Sequence, residues 1–293
     1  MQKTVSRRAG LLLIVTADLL WGTVFVASQV GLQYTNPYNL VFMRFLIASI
    51  IILALVPLFR KKIGIAGEFK KKWTWVFGIV YMFGFLLQYL GQDLTTASEA
   101  TLLSNLAPII VPFFALTFLK EKISGLQKVA MAFGLLGLFL ISSPKINLDA
   151  TQLLGDIMLF GTSISYALFT TLSKKENISS IGSSFAVIIA TTILLAPIAI
   201  TFGGISYFDT NMDLMGWIAV IYLGIPCTLI AITIYLKGLG IIPASEAAVF
   251  FLLQVLVGLI LSAILFGDLL NLAQAAGAVL IFAALGFGVK PRK

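Results

Sequence analysis

The sequence has no histidine, one cysteine and few charges. Only 11% of its 293 residues are Asp, Glu, Lys or Arg, where a soluble domain averages about 25%. The missing histidines remove the commonest general base near neutral pH and the commonest metal ligand. Cys227 stands alone inside the apolar run IYLGIPCTLIA, so it closes no internal disulfide and reads as a small buried hydrophobe. There is no Gly-x-x-x-x-Gly-Lys-Ser/Thr loop, and no nucleotide partner is expected. Nor is any cofactor or metal. A lipid-modifying membrane enzyme would show clustered His, Asp, Cys or Lys at one membrane face. A channel would show rings of charge or a carbonyl filter. Neither pattern is readable, although a non-transporting membrane subunit remains an alternative.

What the sequence has in excess is apolar length. Hydrophobic residues make up 59% of it, and the mean hydropathy is +1.04. A bilayer core about 30 Å thick takes about 20 apolar residues as a helix. Ten stretches qualify, near 9–31, 38–59, 73–92, 97–119, 125–143, 153–173, 180–203, 214–236, 243–266 and 271–289. The fourth and fifth, and the ninth and tenth, are joined by short loops and are the easiest to miscount. The first carries Asp18 and Trp21 and runs longer than the 7–15 residue core of a signal peptide, so cleavage is not expected.

The net charge of +8 would suggest nucleic acid if the basic residues formed one patch. Instead they sit between apolar stretches. With the N-terminus inside, 18 of the 20 basic residues fall in inner segments, including Arg60, Lys61, Lys62, Lys70, Lys71 and Lys72. Basic loops are retained on the cytoplasmic side. Both termini are therefore expected in the cytoplasm of a prokaryotic-type cell, in its plasma membrane, with lipid as the surrounding partner and no nucleic acid.

The chain also repeats itself. Ala97-Ser98-Glu99-Ala100 recurs as Ala244-Ser245-Glu246-Ala247, and the same offset carries Glu121 onto Asp268 and Gln127 onto Gln274. Five stretches separate the copies, an odd number, so they cross the membrane in opposite senses. Inverted repeats of this kind place a substrate site near the midplane between the halves. The expected architecture is an all-α membrane protein of ten transmembrane helices, two five-helix inverted repeats (1–146 and 147–293) around a central cavity.

Several segments resemble EamA-type members of the drug/metabolite transporter superfamily. Ala17-Asp18-Leu19-Leu20-Trp21-Gly22-Thr23 is similar to the opening helix of that family, and Arg44-Phe45-Leu46-Ile47-Ala48 to its second. Ala97 through Pro108 to Lys120-Glu121 resembles the fourth helix with its terminal acidic turn, and Gly155-Asp156 the start of the second half. The second copy departs from the pattern: Gly267-Asp268 stands where the first has Lys120-Glu121, and no arginine matches Arg44. The resemblance implies a ten-helix basket that exports or exchanges small metabolites, often amino acids, without nucleotide hydrolysis.

Charges inside a membrane cost about 2.5–3.5 kcal/mol on insertion scales, so each needs a reason. Asp18 is the deepest: either it meets a substrate ammonium or a proton in the cavity, or it bonds a neighbouring helix. Arg44 either receives a substrate carboxylate, snorkels outward, or pairs with an acid such as Asp18. Glu99, Glu246 and Asp156 are expected to complement helix N-termini. Polar and aromatic residues at helical spacing supply the rest: Tyr81, Phe85, Gln88 and Gln92, then Thr101, Asn105 and Pro108, then Thr162, Tyr166 and Thr170, and Gln254. The candidate substrate-binding set is Asp18, Trp21, Tyr81, Gln88, Asn105, Tyr166 and Gln254. Pro108, Pro112 and Pro226 interrupt apolar stretches and permit bending.

Overall fold

The computed structural model describes residues 6–57, 64–95, 102–142, 149–204, 212–266 and 271–288. Among these residues every regular element is a helix. The apolar helices in chain order are α1 (Arg7–Leu32), α2 (Pro37–Leu55), α3 (Lys72–Leu94), α4 (Leu102–Phe118) and α5 (Gly125–Ile141). They continue with α6 (Ala150–Lys175), α7 (Ile181–Gly203), α8 (Leu214–Ile241), α9 (Ala244–Leu261, running on to Phe266) and α10 (Leu272–Phe287). Seven are long and apolar enough to cross a bilayer; α4, α5 and α10 are shorter. At 1.5 Å per residue these three rise about 25 Å, a little less than the hydrocarbon core. They belong to the two tightly looped pairs that the sequence leaves hardest to count.

The helix starts follow local chemistry. Asn36, Asp149, Ser180 and Asp213 accept from the backbone N–H three residues on, opening α2, α6, α7 and α8. Pro37 occupies a first-turn position of α2, where no N–H is needed. Because Asp149 caps α6, Asp156 lies in the second turn rather than at the start, and its carboxylate accepts from Thr95 Oγ1 at 3.0 Å. Its expected capping role is thereby replaced by a tie between α3 and α6. Ahead of α5, Ser124 and Gln127 bond each other's backbone N–H at 2.9 and 3.2 Å. Asn271 and Gln274 do the same ahead of α10 at 3.0 and 2.8 Å. These reciprocal capping boxes are the physical content of the Gln127/Gln274 repeat.

Among the described residues five helices are interrupted, α4 at Asn105 and Leu106, α9 at Phe250, and α1, α7 and α8. In α1 the Thr23 hydroxyl bonds back to Leu20 O at 2.7 Å, at the break between Arg7–Gly22 and Val24–Leu32. In α7, Pro197 precedes a π-helical turn over Ala199–Gly203. In α8, Pro226 sits in a π-helical stretch, Ile225–Ile230. There Thr228 Oγ1 takes up Leu223 O at 2.8 Å, while Cys227 O turns towards other helices. Such π stretches are common at functional sites.

The packing has a regular plan. Helix α1 lies against α8 and α9; five places later, α6 lies against α3 and α4. The α2 helix meets α7 and α8, and α7 meets α2 and α3. The remaining large contacts, α4 with α9 and α5 with α10, join helices five places apart. Glycines set two matched crossings. A Cβ on Gly91 of α3 would come within 2.9 Å of Gly155 O on α6, and one on Gly238 of α8 within 3.0 Å of Gly10 O on α1. Small residues let membrane helices approach this closely.

The perimeter is apolar. Leu12, Phe113, Ile264 and Val279 keep 65–71% of their area exposed, a surface that suits lipid and not water. Inside lie buried polar side chains, with Asp18, Asn39, Arg44, Thr162, Ser163, Thr191 and Thr228 at 0% exposure. This inside-out distribution, with the long apolar helices, makes the chain a multi-pass membrane protein.

Candidate functional site

One partly open cavity lies among α1, α2, α3, α4, α6, α8 and α9. Six of the seven expected site residues line it: Trp21, Tyr81, Gln88, Asn105, Tyr166 and Gln254. The seventh, Asp18, does not. It is wholly buried one turn back on α1, where its Oδ1 accepts from Gln254 Nε2 at 2.7 Å. Its Oδ2 has no hydrogen-bond partner among the described residues.

Arg44, for which the sequence leaves three roles open, lines the cavity and is completely buried. It does not snorkel and does not pair with Asp18. Its Nε donates to Thr228 Oγ1 at 2.9 Å, Nη1 to Tyr89 OH at 2.9 Å, and Nη2 to Cys227 O at 3.4 Å. The guanidinium packs 4.6 Å from the centre of the Phe85 ring. All three acceptors are neutral, and two of the acceptors come from the distorted stretch of α8. Among the described residues no carboxylate pairs with Arg44. The same Cys227 carbonyl accepts from Trp21 Nε1 at 2.9 Å. The Pro226 distortion thus anchors both the one charged side chain and the one indole of the lining.

Two aromatic groups face the cavity. In one, Trp21 and Tyr235 stand 5.0 Å apart and Tyr235 stacks on Phe251 at 5.6 Å. In the other, Tyr81 stacks on Phe169 at 3.6 Å, and Phe85 meets Tyr81 and Tyr166 at 5.4 and 5.5 Å. Their hydroxyls are largely satisfied within the protein. Tyr166 OH donates to Gln88 Oε1 at 2.5 Å, and Tyr235 OH bonds Thr170 Oγ1 at 2.9 Å. Tyr235, Phe169 and Phe251 went unnoticed in the sequence because aromatic residues in apolar helices mostly mark packing. The spacing of the repeat carries the missing signal: Phe169 lies 145 positions after Val24, and Tyr235 and Phe251 lie 147 after Gln88 and Ser104.

At one end of the bundle a second polar set joins helices of the two halves. Lys120 takes a left-handed backbone, φ 54°, a conformation that costs a side-chain-bearing residue about 1–2 kcal/mol. The turn presents Glu121 to the start of α9. There its carboxylate accepts from Ala244 N at 3.0 Å, Ser245 N at 3.2 Å and Ser245 Oγ at 2.7 Å. Glu246, expected to serve that helix start, pairs with Arg7 instead. Lys174 at the end of α6 donates to Leu239 O at 2.7 Å and Gly240 O at 3.2 Å, closing α8 against α6. Glu99, Thr101 and Asp268, with the first copy of the repeat motif, lie outside the described residues.

Comparison with known proteins gives a consistent result. A family model described as the EamA-like transporter family matches twice, over residues 8–143 and 153–288. An uncharacterized transporter of Archaeoglobus fulgidus is 25% identical, with 82% of this chain and 83% of that protein aligned. A protein of Salmonella typhimurium named a probable amino-acid metabolite efflux pump is 25% identical over 97% of this chain and 96% of its own length. A protein of known crystal structure superposes with a TM-score of 0.83 at 20% identity, covering 97% of both chains; at that identity the likeness concerns the fold.

Proposed function

The chain belongs to the EamA-like transporter family and is a membrane transporter, and on that footing we propose that it exports or exchanges small metabolites, amino acids or related compounds, by alternating access. Ten transmembrane helices form two inverted halves, 1–146 and 147–293, that rock about the central cavity without hydrolysing a nucleotide. The observation that carries this reading is the helix packing: advancing every helix by five places returns the same principal contacts. The two family matches, one per half, support it as well. A pseudo-symmetric pair of bundles has two equivalent ways to close, one at each membrane face.

Both termini lie in the cytoplasm of the cell and the bundle sits in its plasma membrane. The Glu121, Arg7–Glu246 and Lys174 contacts then lie at the cytoplasmic end, since they join the start of α1, the end of α4 and the start of α9. They tie the helix ends together there. Trp21, Tyr81, Gln88, Asn105, Tyr166 and Gln254 bind the substrate, with Arg44 among them.

Counterflow into proteoliposomes tests the function. Purified protein preloaded with a mixed pool of amino acids and organic acids accelerates uptake of a labelled member of that pool, with saturation. Flux that rises without saturation and ignores preloading identifies a channel; lipid turnover without flux identifies an enzyme. Orientation is tested with a single cysteine at position 66 in a Cys227→Ala background. It labels only after the membrane is opened, and labelling from outside intact cells would refute the ten-span topology.

A further inference from the structure

Arg44 is a buried cation with three neutral hydrogen-bond partners and no counter-ion among the described residues. A guanidinium has five N–H donors, so two remain unassigned in the protein. Buried charges are ordinarily paired, and leaving one unpaired is costly. The cavity that Arg44 lines is the space available for its partner. Among the described residues nothing else charged lines that cavity: its other polar residues are Gln88, Ser104, Asn105, Thr170 and Gln254, with the phenols. The described lining therefore carries one positive charge and no negative one.

An amino acid would bring an ammonium as well as a carboxylate. The acid that might meet it, Asp18, is set behind the wall, and the amide N–H of Gln254 already engages it. The two aromatic groups, Trp21 with Tyr235 and Phe251 and Tyr81 with Phe85 and Phe169, line the same cavity without a ring contact between them. They give the cavity a largely aromatic wall, with Phe85 touching both its own group and the guanidinium.

Resting on the carrier reading for its transport aspect, we infer that this cavity takes a monocarboxylate with an aromatic body and no ammonium, held by Arg44 through its carboxylate. Recognition is by charge-assisted, fork-like hydrogen bonds, for which arginine is suited and lysine is not.

Three probes with one skeleton separate the charges: 3-phenylpropionate carries the carboxylate alone, L-phenylalanine both groups, and phenethylamine the ammonium alone. Calorimetric binding to the purified wild-type protein is expected to rank 3-phenylpropionate at least about tenfold tighter than phenylalanine, a factor worth about 1.4 kcal/mol, with phenethylamine not binding. Arg44→Lys keeps the charge, loses the fork, and weakens 3-phenylpropionate by a further tenfold or so on the same scale. The wild-type ranking stands alone if that variant fails to fold. Phenylalanine binding as tightly as 3-phenylpropionate, phenethylamine binding best, or no binding of any probe at millimolar concentration overturns the inference. Binding of 3-phenylpropionate without counterflow, after subtraction of leak in protein-free liposomes, would refute the carrier reading and leave the ligand class standing. Counterflow of other compounds with no preference for the acid would do the reverse.

Discussion

Trp21, Val24 and Phe25 on α1 face the same cavity as Tyr166, Phe169 and Thr170 on α6, and each pair is 145 positions apart. Ser104 and Ala107 on α4 answer to Phe251 and Gln254 on α9 at an interval of 147. The glycine crossings and the capping boxes match at the same intervals. The two halves thus build the cavity wall from equivalent positions, but they do not furnish it alike. The α2 position that holds Arg44 corresponds to Thr191 on α7, whose hydroxyl bonds its own helix at Val187 O, 2.8 Å away. The α3 helix gives the cavity Tyr81, Phe85 and Gln88; α8 gives it Tyr235. Scaffold is duplicated and chemistry is not. On the transport reading proposed above, a symmetric frame would allow two closures and a single arginine would fix one orientation of the substrate.

The largest expected effect tests the shared scaffold. Gly91→Leu and Gly238→Leu each force a side chain into backbone oxygen of the facing helix, at 2.9 and 3.0 Å from the Cβ. A carbonyl in a helix cannot step aside, and overpacking of this kind costs about 3 kcal/mol or more. Both variants are expected to lose most of their folded, monodisperse yield in size-exclusion chromatography. Normal yield from one and collapse of the other would break the equivalence of the halves.

The next effect tests the difference between them. Arg44→Gln should lower transport about tenfold or more, as expected for a charge-assisted bond worth about 1.5–3 kcal/mol. At the matched position, Thr191→Val preserves shape and loses only an intrahelical bond, so transport should change less than about twofold. Equal losses in counterflow rates, at equal protein density in the liposomes, would mean that the buried arginine is a structural strut like its counterpart.

Much of this was legible in the sequence, because membrane physics writes in long words. Twenty apolar residues, flanking lysines and an offset repeated three times suffice for helix positions and the pairing of halves. Five of the six cavity residues, all but Trp21, could be found because an amide or a phenol in an apolar helix must face protein or water. The depth of Asp18 was readable but not its direction: about 60° around α1, the angle between positions 18 and 21, separates a residue behind the wall from one on it. Arg44 was ambiguous for a different reason. Its partners, Thr228 and the Cys227 carbonyl, come from a π-helical stretch, and sequence shows the proline there without showing which carbonyl it frees.

A smaller effect concerns the end tied by Glu121. Glu121→Gln keeps one oxygen to accept from the start of α9 but removes the charge that favours a helix N-terminus. With roughly 1 kcal/mol removed, opening should rise about fivefold. A cysteine in place of the buried Ser173, in a Cys227→Ala background, reports it through its rate of reaction with a membrane-impermeant maleimide in inside-out vesicles. An unchanged rate would show that Glu121 does not restrain that end.

The smallest effect on substrate affinity is expected at Asp18, and it separates strut from receptor. Asp18 ties α1 to α9 through Gln254 at 2.7 Å. Its counterpart 145 positions on, Ser163, ties α6 to α4 by donating to Leu103 O at 2.6 Å and accepting from Leu106 N at 3.1 Å. The parallel makes both residues fasteners between equivalent helices. Asp18→Asn retains the oxygen that accepts from Gln254 and removes an ionisable group from wholly buried surroundings. Thermal stability should therefore hold or rise, and Ser163→Ala should lower it by about 1 kcal/mol, the worth of an ordinary buried hydrogen bond. Because Asp18 stands behind the wall, its amide variant should shift the affinities for 3-phenylpropionate and phenylalanine together, by less than about threefold, a factor below 1 kcal/mol. A selective loss for phenylalanine, with the acid unaffected, would mean that the carboxylate reaches a substrate ammonium after all. In that case Asp18 would add a second charge contact, again from the first half, and Arg44 would be only half of the recognition.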